Sequence, residues 1–329
     1  MHIGQIHFDR FPLLLAPMED VSDPPFRAVC KDNGADMMYT EFISVEGLIR
    51  DAHKSQMKLE FSESERPLGI QIFGAEIDSM TKAAEIVEMV KPDLLDINFG
   101  CPVKKVVCKL AGAGILQDIP KMIRLTEKVV KSTTLPVTVK TRLGWDEKSK
   151  NIVEVAERLQ DVGIKALTIH GRTRQQMYKG DADWTLIGDV KNNPKMHIPI
   201  IGNGDIDSPI KAQEYRQRYG VDGIMIGRAS IGNPWIFREI HHYFQTGTFA
   251  NPPSLIERLD AIKRHFIKSV EWKGEKLGIL EMRRHYAPYL KGLPNIKEYR
   301  AKLVTVNDFD GILEVLEEIE STYQGLVLA

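Results

Sequence analysis

At 329 residues, 43% hydrophobic and 27% charged, the chain is too long for a simple small domain and has the make-up of a globular enzyme with a sizeable core. A formal net charge of −1 gives no global sign of a polyanionic partner, no apolar run reaches the roughly 18 residues of a membrane span, and the opening MHIGQIHFDRF lacks the apolar stretch of a secretory signal. Cys30, Cys101 and Cys108 form an odd, sparse set without a C-x₂-C pair, which argues against a disulfide framework and a structural zinc and for a cytoplasmic protein.

Eight short apolar runs follow one another along the chain, at residues 13–18, 37–42, 68–73, 94–99, 136–140, 166–170, 199–202 and 223–227. Runs such as PVTVK, ALTIH and PIIG are nearly continuous in hydrophobicity, as parallel strands covered by helices are. Between them, segments such as 76–90, 119–131 and 152–162 place apolar residues at helical spacing. Eight strand–helix units predict a (β/α)₈ TIM barrel over residues 1–250, of the roughly 250 residues such barrels occupy. No G-x-G-x-x-G follows the first strand, against a doubly wound sheet. The NPPS break at 251–254, with Ser254 as a helix cap, opens a second, helical domain at 251–329. Its helices are expected at 255–273, 277–291, 296–303 and 309–323. From Arg258 to Lys302 there are twelve Lys/Arg against five Asp/Glu, and after that six acids and no base.

A TIM barrel builds its site at the carboxyl ends of its strands. Polar or glycine-rich residues stand there on strand after strand: Pro17-Met18, Gln71, Asn98 to Pro102, Lys140-Thr141-Arg142, His170-Gly171-Arg172, Asn203-Gly204-Asp205 and Gly227-Arg228-Ala229. The last two groups offer small residues and backbone N–H groups where barrels hold a phosphate, with Arg228 for a charge-assisted contact. Lys140 is open to three readings: an ion-paired core lysine, a Schiff-base lysine of a pyridoxal enzyme, or a cation beside a flavin. Cys101 stands three residues after Asn98, on a loop with Pro102 and the Ala111-Gly112-Ala113-Gly114 run that reads as a shaped, movable lid. A thiol there can give or take a proton, whereas Cys30 and Cys108 read as buried, inert thiols.

Taken together, APMEDVSDPPFR, DINFGCPVKKV with AGAGIL after it, VKTRLGW, HGRTRQQMYKGDADW, IGNGDI and GIMIGRASIGNPWIF resemble the tRNA-dihydrouridine synthases, and EMRRHYAPYLKGLP resembles their bacterial B-type branch. The resemblance implies an FMN enzyme that uses NADPH to reduce the C5–C6 double bond of a uridine in tRNA, with the B-type branch pointing to the D-loop. It implies that Pro17, Met18 and Glu19 line the flavin and that Gln71, Lys140 and His170 contact it. Asn203, Gly204, Asp205, Gly227 and Arg228 match its remaining flavin and phosphate positions. Cys101 matches the general acid and Asn98 a uracil-binding position, with Arg142 and Arg174 as further substrate-side residues. Where the family has a small pair after APM, this chain has Glu19-Asp20.

A base inside folded tRNA reaches such a site only by extrusion, at a few kcal/mol. The basic helical stretch supplies Lys263, Arg264, Lys268, Arg283, Arg284 and Lys291 for phosphates, with Tyr286 and Tyr289 interleaved. The expected protein is thus a cytoplasmic monomer that binds tRNA, with no membrane and no metal. The rival within enzymes is a dihydroorotate-type flavin oxidoreductase acting on a free pyrimidine, and from another class an RNA-binding protein on an inactive barrel.

Overall fold

The computed structural model describes residues 1–325. Eight parallel strands run β1 (Leu13–Leu15), β2 (Met38–Tyr39), β3 (Leu68–Phe73), β4 (Leu94–Asn98), β5 (Val137–Arg142), β6 (Leu167–His170), β7 (Ile200–Asn203) and β8 (Gly223–Ile226). They pair in the order β1-β8-β7-β6-β5-β4-β3-β2, and a parallel bridge from Leu14 to Met37 closes the barrel. A further short strand, Ile43–Ser44, pairs with the end of β3.

Side chains on a strand alternate between its two faces, and here that alternation separates packing from chemistry. Leu13, Leu15, Ile70, Ile72, Leu95, Ile97, Val137, Val139, Leu167 and Ile169 pack outward with the helical coat in one core. The other parity carries Gln71, Asp96, Asn98, Thr138, Lys140, Arg142, Thr168, His170 and Asn203. Toward the amino-terminal end the interior is apolar. Leu14, Met37, Leu94, Ala166 and Ile201 meet Ile3 from a hairpin in which His2–Ile3 pairs with Ile6–His7. The barrel is therefore stoppered at one end and polar toward the other.

The later helices are Leu255–Lys273, Glu275–Tyr289, Lys297–Thr305 and Phe309–Thr322, around a second core that takes in Val29 and Trp235 from the barrel side. Ser254 caps the first of them, as expected, and does so in a capping box with Glu257. Gly274, at φ +79°, separates the first two helices, so the second begins at Glu275 rather than at the first apolar residue, Leu277. Residues 326–329, the end of the expected helical domain, lie outside the described residues.

One expectation fails here. Tyr286 and Tyr289 are 0% and 1% exposed and belong to the second core, so neither presents a ring to a base. Helix periodicity explains this, because both sit on the apolar face that carries Ile279 and Met282. Most of the basic stretch is also engaged within the protein. Lys263 pairs with Glu320 and Arg264 with Asp32, and Arg283 donates to Asn307 at 2.7 Å. Arg284 donates to the carbonyl of Asp20 at 2.8 Å. Lys268 and Lys291 are exposed.

The helical segment is seated on the barrel through helix Pro24–Asp32 and the loop before it. Phe26 stacks on His265 at 5.5 Å, and Lys273 bridges Asp23 and Glu281. Within the barrel the same loop is held by Arg27, 1% exposed, which donates to Glu65 at 2.5 Å and to the carbonyls of Ser22 and Glu60 at 3.0 and 2.8 Å. Arg27→Leu leaves Glu65 as an uncompensated buried charge. It is expected to cost ~3–5 kcal/mol in urea unfolding, as loss of one partner of a buried pair does.

Candidate active site

A cavity of about 870 Å³ opens at the carboxyl ends of the strands. Strand register brings its floor together. Asn98 is paired with Lys140, Arg142 with His170, and His170 with Asn203, so four neighbouring strands deliver polar side chains of one parity in two successive rows. Pro17, Met18 and Glu19 from β1, and Gly204, Asp205, Gly227 and Arg228 from β7 and β8, line the same space.

Below the cavity a chain of hydrogen bonds has only one possible polarity. Asp96, 1% exposed, accepts from Gln71 Nε2 at 2.6 Å and from Thr138 Oγ1 at 2.5 Å. Gln71 Oε1 must then face outward, where it accepts from Asn98 Nδ2 at 2.7 Å. Asn98 Oδ1 in turn accepts from the N–H groups of Gly100 and Cys101 at 2.9 and 2.8 Å. A carboxylate only accepts, so it fixes both amides and, through them, the start of the Cys101 loop. Burial pushes the Asp96 carboxyl up to about 6, with the Gln71 and Thr138 hydrogen bonds opposing. Gln71 is fully buried and does not line the cavity.

Cys101 sits at the cavity wall, 6% exposed. Burial raises its thiol above the usual range, against a lowering by the Val103 N–H and by Arg142. Burial therefore favours the neutral thiol. The Ala111–Gly114 run is not a free lid. It is buried and packs on the cysteine, and Ala113 N–H donates to the Cys101 carbonyl at 3.0 Å. A Cβ on Gly112, at φ +53°, would lie 2.9 Å from the Cys101 oxygen and 3.1 Å from its Cβ. Gly112→Val is accordingly expected to cost about 1–3 kcal/mol and to displace Cys101, read as a lower melting temperature with a changed Cys101 alkylation rate.

Lys140 lines the cavity and has no ion-pair or hydrogen-bond partner among the described residues, although Asp96 lies near enough to act on its charge. Burial and then Arg142 bring its ammonium down to about 8. His170 is held neutral, well below the usual imidazole range, by burial and by Arg142 and Lys140. Its Nδ1 is buried without a protein partner. Gly204 and Asp205 are both left-handed, at φ +123° and +55°. The nearest heavy atoms to a Cβ on Gly227 would be 3.6 Å away, so the glycine there keeps the cavity open and is not required by packing.

Several expected residues are placed differently. Arg142 lines the cavity but donates to the carbonyls of Gly100, Thr173 and Met177 at 2.7, 3.1 and 3.0 Å, clamping the loops after β4 and β6 together. Arg174 lies outside the cavity, over the Trp145 ring at 4.8 Å in an adjoining cleft. Arg283 is bound within the helical segment. Cys108, expected to be buried, is exposed. It follows the four-residue helix Lys104–Val107, of which only Val107 is buried. Glu19 is paired with Lys58 at 2.7 Å, and Lys58 lies 3.5 Å from Glu41, so the acidic group of Glu19, Asp20 and Glu41 has a built-in counter-charge.

Sequence reading noted Arg172 at a strand end without giving it a role, and missed Tyr178 and Lys211 as cavity residues. Arg172 makes a two-point ion pair with Asp205, at 2.5 and 3.0 Å, and Asp205 also takes Arg228 at 2.8 Å. Tyr178 lies beneath the Arg228 guanidinium at 4.9 Å. Arg172 shares the parity of His170 two residues on, which was the available signal; Tyr178 and Lys211 carried none.

The dihydrouridine synthase family pattern matches residues 14–324. tRNA-dihydrouridine synthase B of Pseudomonas aeruginosa is 38% identical over 298 residues, covering 91% of this chain and 89% of its own. A probable tRNA-dihydrouridine synthase of Rickettsia conorii is 37% identical over 316 residues, 96% of this chain and 94% of its own. Among solved structures, a mutant of morphinone reductase in complex with tetrahydroNAD shares the fold, with a TM-score of 0.54 at 10% identity over 77% of this chain and 91% of that one.

Proposed function

The chain belongs to the dihydrouridine synthase family, and we propose that it is an FMN-dependent, NADPH-driven enzyme that saturates the C5–C6 bond of a uridine extruded from the tRNA D-loop. The observation that carries this reading is a buried thiol, Cys101, placed by a fixed relay at the wall of a cavity whose floor offers, among the described residues, an unpaired Lys140 and an unpaired His170 Nδ1.

The residues present fit the cofactor. Its phosphate suits the left-handed turn at Gly204-Asp205 and the Gly227-Arg228 backbone, where Arg228 is 55% exposed at the side chain. Lys140 suits the end of the ring system that gains negative charge on reduction. His170, neutral, has a ring nitrogen free for a hydrogen bond. When bound, FMN reduced by NADPH supplies a hydride to C6 of the uracil. Cys101 then gives its proton to C5, which completes the saturation, and the thiolate left behind is stabilised by Arg142 and Lys140 until water reprotonates it. Asn98, its amide committed to Gln71 and the loop, sets where the thiol stands. Exposed Lys268 and Lys291, with Arg284 at the Asp20 loop, are the cations of the helical segment best placed for tRNA phosphates. No helix of the described residues is long and apolar enough to cross a membrane; on the proposed reading the enzyme acts in the cytoplasm, where tRNA is found, as a monomer.

The test is mass mapping of dihydrouridine in tRNA from a strain lacking the gene, together with absorbance of the purified protein. Loss of one D-loop dihydrouridine and a flavin spectrum bleached by NADPH are expected. An unchanged tRNA profile with turnover of a free pyrimidine would instead support the dihydroorotate-type reading.

A further inference from the structure

Beside the cavity, and sharing Pro102 with it, is a second cleft of about 690 Å³ walled by Cys108, Leu110, Trp145, Arg174 and Met177. Resting on the reading of tRNA as substrate, we propose that this cleft takes an unpaired nucleobase of the same tRNA, next to the extruded uridine, stacked on the Arg174 guanidinium.

Four observations support the assignment. Leu110 and Met177 are 42% and 41% exposed, an apolar surface that water covers poorly. The Arg174 guanidinium already lies over the Trp145 ring at 4.8 Å, and a guanidinium paired with an indole is the kind of surface on which unstacked bases stack. Arg174 Nε is buried without a protein partner. The charged residues that line the cleft are basic: Lys104 and Arg174 line it, Lys105 and Lys109 adjoin its wall in sequence, and among the described residues no acid lines it. The acids next to Trp145 are otherwise engaged, Asp146 in bonds to Lys148 N–H and Ser149 and Glu147 with Lys150. An apolar wall with a stacking plane and a cationic rim suits a base with its phosphate better than a protein surface.

The cleft is also continuous with the chemistry. Arg142, which clamps the Cys101 loop through the Gly100 carbonyl, donates to the Met177 carbonyl at 3.0 Å. A base held against Met177 and Arg174 therefore bears on the same clamp, so the neighbour of the reduced uridine and the proton donor are linked through the Arg142 side chain.

Cys108 provides the readout, because it lines the cleft and is exposed while Cys30 and Cys101 are buried. Tryptic cleavage after Lys104 and Lys105 places Cys101 and Cys108 on separate peptides. With flavin-loaded full-length protein, saturating unmodified tRNA is expected to slow Cys108 alkylation at least tenfold, while NADPH alone leaves it unchanged. Arg174→Leu should weaken tRNA binding about tenfold, the effect of losing one stacked base, and remove the protection, with flavin content and bleaching by NADPH intact. Lys104→Glu, at an exposed site, should weaken binding with a shallower salt dependence and guards against a folding artefact at Arg174. Full-rate alkylation of Cys108 with tRNA bound and turned over overturns the cleft alone. Protection without tRNA, in a dimer or by NADPH, overturns it in favour of that occupant. Absence of any tRNA binding overturns the cleft and the proposed function together.

Discussion

Replacing Cys101 by alanine is expected to lower turnover on unmodified tRNA by about 10²–10⁴-fold, the usual contribution of a positioned general acid, while FMN content and bleaching by NADPH stay as in the parent. The separation follows from where the thiol stands. It is held by the loop after β4 and by Ala113, whereas the groups suited to the flavin, Lys140, His170 and the Gly204-Asp205 turn, come from β5 to β7 and make no hydrogen bond to it. The pH dependence should also divide. An acid works while protonated, so a thiol raised by burial keeps the tRNA half-reaction active into mildly alkaline solution, and activity falls as pH passes its elevated value. Lys140, lowered to about 8, loses its charge earlier, so flavin reduction is expected to slow first as pH rises through 8. Turnover by Cys101→Ala equal to the parent, on tRNA shown to lack dihydrouridine, would remove the proton-donor role.

Much of this arrangement is legible in the sequence because barrel strands obey a strict alternation. VKTR and TIH each place a polar side chain at every second position, and that spacing by itself marks Lys140, Arg142 and His170 as interior. The (β/α)₈ order and the helical segment are legible for the same reason, as repeated periodicity. What alternation does not say is what an interior group touches. Gln71 and Asn98 are both inward and both polar, but one lies below the floor and the other in it, and only tertiary distances separate them. Arg142 and Arg174 have the same composition signal and part company because backbone carbonyls surround one and an indole backs the other. Tyr286 and Tyr289 were hidden by the basic residues between which they stand. Their neighbours in sequence face water while they face the core. Cys108 escaped because the four-residue helix Lys104–Val107 is too short to show a periodicity.

The relay beneath Cys101 leads to the second large effect. Gln71→Met, nearly isosteric, removes the donor to Asp96 and the acceptor for Asn98 Nδ2 in one step. Asn98 is then free to turn, and the N–H groups of Gly100 and Cys101 lose their fixed acceptor. A thiol misplaced by about 1 Å is enough for a loss of roughly 10²-fold, so kcat on tRNA should fall by that order with a faster alkylation of Cys101 and little change in KM. Loss of FMN with Cys101 alkylation unaltered would instead place Gln71 with the cofactor and dissolve the relay. Asp96→Asn is the matching control, because its amide oxygen can still accept from Gln71 Nε2 while its NH₂ turns to Thr138 Oγ1, so the relay keeps its polarity. Turnover should therefore stay within a few-fold of the parent. Stability should move the other way from an ordinary core lesion. A carboxyl pushed up to about 6 is protonated in the folded state when the unfolded chain has already ionised, so its ionisation costs stability. That cost is absent below about pH 4, grows between 4 and 6, and is complete above 6, and Asp96→Asn escapes it. A melting temperature above the parent's at pH 7 and equal to it at pH 4 is the expected pattern. It would show that the buried Asp96 carboxylate is carried at a cost in stability.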